Sequence, residues 1–169
     1  EQGSHCHCVL TPFALQFFMP IMSQPSPLAD FPVTVPVTVQ WSDHDALDHV
    51  NNVVYFQWFE IARIEYFNAS GMGRLASECE LGQILAATSC NFRAQLQFPD
   101  TVHVGVRVSR IGRSSIGMQY AVWSQQTSQL AADGDSTIVV FNYKENRSVP
   151  VPSELIDAIE QIEKRSLRG

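Results

Sequence analysis

The strongest constraint on this chain is a helix-length run that is apolar on nearly every side. Between 52 and 68 the apolar positions are Val53, Val54, Tyr55, Phe56, Trp58, Phe59, Ile61, Ala62, Ile64, Tyr66 and Phe67. A surface helix keeps a polar face; one without it predicts a core helix wrapped by something large. The following "NASGMG" predicts the end of that helix, through Gly71 and Gly73.

The wrapping has to come from strands. The stretch 33–41 alternates Val33, Val35, Val37, Val39 and Trp41 against Thr34, Pro36, Thr38 and Gln40. Pro36 lacks a ladder donor and points to an edge position or an irregularity. Residues 83–98 read as long and extended, and 101–111 alternates cleanly through Val102, Val104, Val106 and Val108. A strand over 114–126 follows a short turn at Gly112 and Arg113, and another over 136–144 follows the "ADGD" turn. Over 151–165, Leu155, Ile156, Ile159 and Ile162 share one face, and basic residues gather at the C-terminal end, as a surface helix prefers. The order is strand, buried helix, four strands, surface helix. That order predicts an α+β layer fold with an antiparallel sheet curled around the helix. Such a sheet leaves edge strands and one face uncovered, which oligomerisation would remedy.

The chain has 169 residues, of which 45% are hydrophobic and 17% charged, enough apolar material for one domain and too much for disorder. Net charge is −6 and no basic run occurs, which argues against nucleic acid as a partner. Residues 31–165 are expected to form the domain and 1–30 a tail. The tail's "VLTPFALQFFMPIM" is short for a membrane span, and Pro12 and Pro20 interrupt it. No Lys or Arg precedes it, as a secretory signal would require. The tail is expected to be an artificial leader or to lie upstream of a natural start near Met19 or Met22. Its "HCHC" has the right ligand types for a metal, but neighbouring ligands rarely close a tetrahedral site unaided. No metal is expected. Cysteines at 6, 8, 79 and 90 match neither a disulfide scaffold nor a paired CxxC zinc site, and free thiols in a cytoplasmic protein are expected.

Directly before the apolar helix stands a polar cluster: Asp43, His44, Asp45, Asp48, His49, Asn51 and Asn52. Asp and Asn between a strand and a helix are most often turn formers and caps. The same geometry also suits chemistry. A buried helix N-terminus offers unpaired N–H groups and positive partial charge, able to stabilise an oxyanion. A carboxylate nearby could attack a carbonyl or activate water toward it. Periodicity alone does not choose between capping and hydrolysis of an activated acyl group.

The stretch "WSDHDALDHVNNVVYFQWFEIARIEYF" resembles the signature of hotdog-fold acyl-CoA thioesterases of the 4-hydroxybenzoyl-CoA thioesterase type. That pattern runs roughly D-x-D-x-x-G-H-V-N-N-x-x-Y-x-x-[YFW]-x-E-x-A-R. Asp43, Asp45, His49, Val50, Asn51, Asn52, Tyr55, Trp58, Glu60, Ala62 and Arg63 match in register over about 27 residues. The resemblance implies a five-stranded antiparallel sheet around a long central helix, followed here by the C-terminal surface helix. It also implies a homodimer, often paired into a homotetramer, with active sites at the dimer interface. It places the catalytic carboxylate on Asp45, as nucleophile or general base, and the oxyanion donor on the backbone N–H of Asn52. His49 and Asn51 would orient the acid or the water. The chain departs from the pattern at Asp48, where Gly is usual; that suggests φ > 0 and adds a second negative charge near Asp45.

Glu60 and Arg63, at i, i+3, are expected to pair with each other or across an interface. Tyr55 is a candidate for acyl contact. Coenzyme A carries phosphates, so an acidic protein should offer local cations. Arg107, Arg110 and Arg113 near a hairpin turn, with Lys144 and Arg147 after the last strand, are the candidates. The expected reaction is acyl-CoA hydrolysis with no metal or organic cofactor. An acyl-carrier-protein thioesterase, or a hotdog module that binds acyl-thioesters without turnover, are the alternatives; a zinc-binding protein using "HCHC" ranks behind both.

Overall fold

The computed structural model describes residues 27–167, with the side chains of 76–79 outside that description. The "HCHC" motif and most of the tail therefore lie outside the described residues.

The element order is β1 (Val33–Thr38), α1 (Asn52–Ala69), α2 (Met72–Cys79), β2 (Leu81–Phe92), β3 (Thr101–Ile111), β4 (Ser115–Ser124), β5 (Gln129–Asn142), β6 (Arg147–Ser148) and α3 (Ser153–Glu163). The strands form one antiparallel sheet in the order β1-β3-β4-β5-β2, and the two-residue β6 adds to β5. The sheet is thus six-stranded, one short strand more than expected. Pro36 sits on β1, at one edge, where its missing N–H costs little. β2 is the other edge.

The core lies between α1 and the sheet. Val102, Val104, Val106 and Val108 on β3 are fully buried, as their alternation predicts. Phe59 of α1 stacks on Tyr120 of β4, with ring centroids 4.5 Å apart. Leu155 and Ile159 of α3 join the same core, and Tyr66 on α1 donates its hydroxyl proton to Glu163 at 2.8 Å. Leu28, ahead of β1, is buried as well.

Four sequence expectations change. First, α1 is not enclosed on all sides within one chain: Val53, Ile61 and Ile64 remain 55%, 41% and 45% exposed. The sheet covers one flank of the helix, and the other stays open. Second, Gly71 does end α1, with φ 77°, but Gly73 lies inside the extra helix α2. Third, the "ADGD" segment is not a turn. It lies within β5, where Ala132, Gly134 and Ser136 face inward and the turn falls at 125–128. Gly134 permits this because a Cβ there would sit 2.3 Å from the Ser89 carbonyl oxygen and 2.6 Å from Phe59. Fourth, the long extended run ends at Phe92, and 93–98 is irregular.

Candidate active site

The polar cluster folds as a small closed loop between β1 and α1. Its backbone is tied at several points. Asp45 N–H donates to the His49 carbonyl at 2.8 Å, Asp48 N–H to Asp45 at 3.2 Å, and Asn51 N–H to Asp43 at 2.8 Å. Val50 N–H donates to the Leu96 carbonyl at 2.9 Å, and Phe98 N–H donates to His44 Nε2 at 2.7 Å, which fastens the loop to the segment after β2.

Within this frame the three aspartates have different jobs. Asp43 Oδ2 accepts from Gln40 N–H at 2.8 Å and acts as a turn former. Asp48 is exposed, with φ 59°, the conformation that the usual Gly would favour. Asp45 accepts from Leu47 N–H at 2.7 Å through Oδ1, while Oδ2 has no partner among the described residues. Half of the capping reading is therefore realised in Asp45, and half of its carboxylate is left over.

Asn51 is the N-cap of α1: its side-chain oxygen accepts from Val53 N–H at 3.1 Å. The backbone N–H of Asn52, the first helical residue, has no acceptor among the described residues. It stands at the positive end of an 18-residue helix dipole.

A cleft of about 380 Å³ gathers Asp45, His49, Asn52 and Tyr55 with Val50, Phe92, Arg93, Ala94, Gln95 and Leu96. Tyr55 is buried, and its ring packs on Trp58 at 5.0 Å and edge-on to Phe92 at 5.1 Å. Burial, and then the Cys90 thiol beside it, push the Tyr55 hydroxyl up to about 12, so it is a proton donor at neutral pH. A larger cleft of about 470 Å³ lies on the other side of the molecule between β3 and α3, lined in part by Arg107, Glu163, Lys164 and Arg165. No helix N-terminus lines it: Glu163 ends α3 and accepts from the Tyr66 hydroxyl and from Val108 N–H, and the cleft's other carboxylate, Asp30, lies ahead of β1. Of these two clefts, the smaller one sets a carboxylate beside a helix N-terminus.

Sequence reading found four of the cleft residues and missed Phe92, Arg93 and Leu96, hidden in a run taken as plain strand. Arg110, Arg113 and Arg147 are not brought to the cleft of their own chain. β3 starts beside the Asp45 loop at Thr101 and carries Arg110 to its far end, about 30 Å away at strand rise. Arg113 lies in the turn beyond it, and Arg147 pairs with Glu145 at 2.5 Å beside the same far end of the sheet. Proximity in sequence to a turn says nothing about which end of a sheet that turn occupies. Glu60 and Arg63 do pair, at 3.8 Å, with Arg63 buried and also donating to the Tyr120 hydroxyl at 3.5 Å.

The model of the Thioesterase-like superfamily matches residues 39–159, which takes in the Asp45 loop, α1 and strands β2 to β6. The chain belongs to the Thioesterase-like superfamily. A thioesterase from Thermus thermophilus, solved in complex with coenzyme A and Zn, is 33% identical with TM-score 0.73, over 82% of this chain and 98% of that one. The DHNA-CoA thioesterase of Staphylococcus aureus is 15% identical with TM-score 0.69, over 78% and 91% of the two chains, and shares the fold alone. The uncharacterized protein YsmA of Bacillus subtilis is 30% identical over 84 residues, 50% of this chain and 56% of that protein. The match thus spans little more than half of that relative. The α+β architecture of this superfamily member is the hotdog fold, its antiparallel sheet curled around α1.

Proposed function

We propose that this protein hydrolyses acyl-CoA thioesters to free CoA and a carboxylic acid. One observation carries the reading: Asp45, with a carboxylate oxygen that has no partner among the described residues, and Asn52, whose N–H has none there either, line one cleft. The thioester carbonyl oxygen would accept from Asn52 N–H, where helix dipole and hydrogen bond favour the developing negative charge. Asp45 Oδ2 then either attacks the carbonyl carbon or takes the proton of an attacking water. Collapse of the tetrahedral species breaks the C–S bond and expels the CoA thiolate, which takes up a proton; the water route leaves the carboxylic acid directly, and the attack route leaves an Asp45 acyl anhydride that water then hydrolyses to the acid and the regenerated carboxylate. His49 lines the cleft beside Asp45 and would orient the water; Asn51 holds the helix end that aims Asn52 N–H. The reaction needs no metal or organic cofactor. CoA as the carrier is supported by the coenzyme A in the Thermus relative.

The working unit is proposed to be a homodimer, or a homotetramer built from it, formed through the free edge of β2. That strand is twelve residues long and contains no charge and no proline. Natural edge strands usually carry such features as protection against pairing. Two-fold antiparallel pairing of β2 with itself sets the Leu81 end of one copy against the Phe92 end of the other. Lys144 and Arg147 lie at the Leu81 end, through the register of Leu81 with Asn142 and of Asn142 with Arg147. The cations that a single chain holds far from its cleft would then approach the cleft of its partner. No described helix is long and apolar enough to cross a membrane. The proposed compartment is the cytoplasm, in keeping with the free Cys90.

The test is thiol release from short, long and aromatic acyl-CoAs by the wild type and by Asp45→Asn. We expect the near-isosteric change to cut kcat by about 10²- to 10⁴-fold. Equal rates would remove Asp45 from the chemistry, and absence of release from every ester by the wild type would end the hydrolase reading.

A further inference from the structure

The cleft contains more polar chemistry than thioester cleavage requires. Arg93, at the end of β2, lines it together with Asp45. Its Nε donates to Asp133 Oδ1 at 2.5 Å, and Asn91 Nδ2 donates to Asp133 Oδ2 at 2.9 Å. Both oxygens of Asp133 are therefore engaged, and the guanidinium is held from one side. Its two terminal nitrogens have no partner among the described residues. This leaves the forked edge of the arginine, the edge that matches a carboxylate in a bidentate fashion, preset and unused.

A second residue with an unused donor, Tyr55, lines the same cleft. Tyr55 is 3% exposed, and its hydroxyl has no hydrogen-bond partner among the described residues. Gln83 Oε1 is the one side-chain oxygen among them that is both sealed and unpartnered, so the Tyr55 hydroxyl is not sealed, and Tyr55 is one of the residues that line the cleft. Once a substrate displaces water from the cleft, a donor left empty there costs free energy unless the substrate accepts from it. Around these two donors the walls are apolar: Val50, Ala94, Leu96 and the Phe92 ring. A plain alkyl chain would satisfy the walls and leave both donors wanting.

We propose that Arg93 and Tyr55 form a subsite for a carboxylate carried by the acyl group, so that the preferred substrates are half-thioesters of short dicarboxylic acids. The identification of the carrier rests on the hydrolase reading above; the carboxylate subsite does not. A phosphate of the carrier is the other oxyanion a guanidinium could take. The position argues against it, because the phosphates of CoA lie beyond the whole pantetheine arm from the thioester, whereas Arg93 shares one cleft with the reacting acid.

The experiment measures binding without turnover. Asp45→Asn protein is titrated calorimetrically with glutaryl-CoA, with pentanoyl-CoA of equal carbon number, and with glutaryl-pantetheine, which has no phosphate. The titrations are repeated with Arg93→Gln or Tyr55→Phe added. Arg93 is an exposed side chain and Tyr55→Phe keeps the ring, so both variants should fold, which thermal melts verify. Arg93→Gln is expected to weaken both glutaryl esters by about 10- to 100-fold, as for loss of a charged hydrogen bond, and to leave pentanoyl-CoA within about twofold. Tyr55→Phe should weaken the glutaryl esters by about 3- to 10-fold. Equal weakening of glutaryl-CoA and pentanoyl-CoA, with glutaryl-pantetheine spared, would overturn the proposal and assign Arg93 to a carrier phosphate. No change with any ester would also overturn it. Selective binding of glutaryl esters by a protein whose wild type releases no thiol would uphold the subsite and sink the hydrolase reading alone.

Discussion

Asp48 holds a left-handed backbone, φ 59°, at a turn closed by its own N–H on the Asp45 carbonyl. A Cβ in that region costs about 1–2 kcal/mol, less for Asp than for most residues, and Gly would recover part of it while adding disorder to the unfolded chain. Asp48→Gly should therefore raise unfolding free energy by up to about 1 kcal/mol, read from the denaturant midpoint; a lower midpoint would mean that the Asp side chain stabilises the loop. Cys90 and Tyr55 make a second point at this scale. Burial, and then Asp133, push the Cys90 thiol from 9.0 up to about 11. Tyr55 rises from 10.0 to about 12. Both folded values lie above the unfolded ones, so the fold favours the neutral groups. Their contribution is whole below pH 9 and is lost as pH climbs through 11 and 12. The melting temperature should fall across that window, and Cys90→Ala should make the fall shallower. An unchanged slope would refute the role given to the thiol.

Among the elements, β5 shows how tightly helix and sheet are fitted. Gly134 leaves room for Phe59 and the Ser89 carbonyl at distances no Cβ tolerates. Because one of those neighbours is backbone, Gly134→Ala should destabilise by about 1–3 kcal/mol in equilibrium denaturation; a neutral result would show that α1 can shift outward freely. The same glycine explains what the sequence could not reveal. "ADGD" has the composition of a turn, and only the partner packed against it makes it strand. By contrast, α1 and β3 were legible, because their periodicities of 3.6 and 2 are local properties of the chain. The loop that carries Asp45 was legible through its motif. Arg93 was not: its meaning comes from Asp133, forty positions away in sequence. The end of the sheet that the cations after β3 and β5 occupy was not legible for the related reason that residue spacing does not tell which end of a sheet a turn serves.

At the scale of the whole molecule, the open flank of α1 and the uncharged edge of β2 ask for the same cover. A charge in the middle of that edge, as in Leu85→Lys, should leave the monomer folded and shift the sedimentation profile to a single chain; an unchanged dimer would place the interface elsewhere. Mixed oligomers test the arrangement of the site. Asp45→Asn has intact cations, and a Lys144→Gln, Arg147→Gln double variant has an intact acid. If acid and cations meet across β2, the mixture regains activity that neither variant has alone, since each mixed dimer contains one whole site. If they act within one chain, mixing restores nothing. The segregation of acid and cations to opposite ends of one sheet then has a kinetic consequence. A newly made chain would be catalytically silent until it meets its twin, and at low expression the rate would grow with the square of the amount of protein.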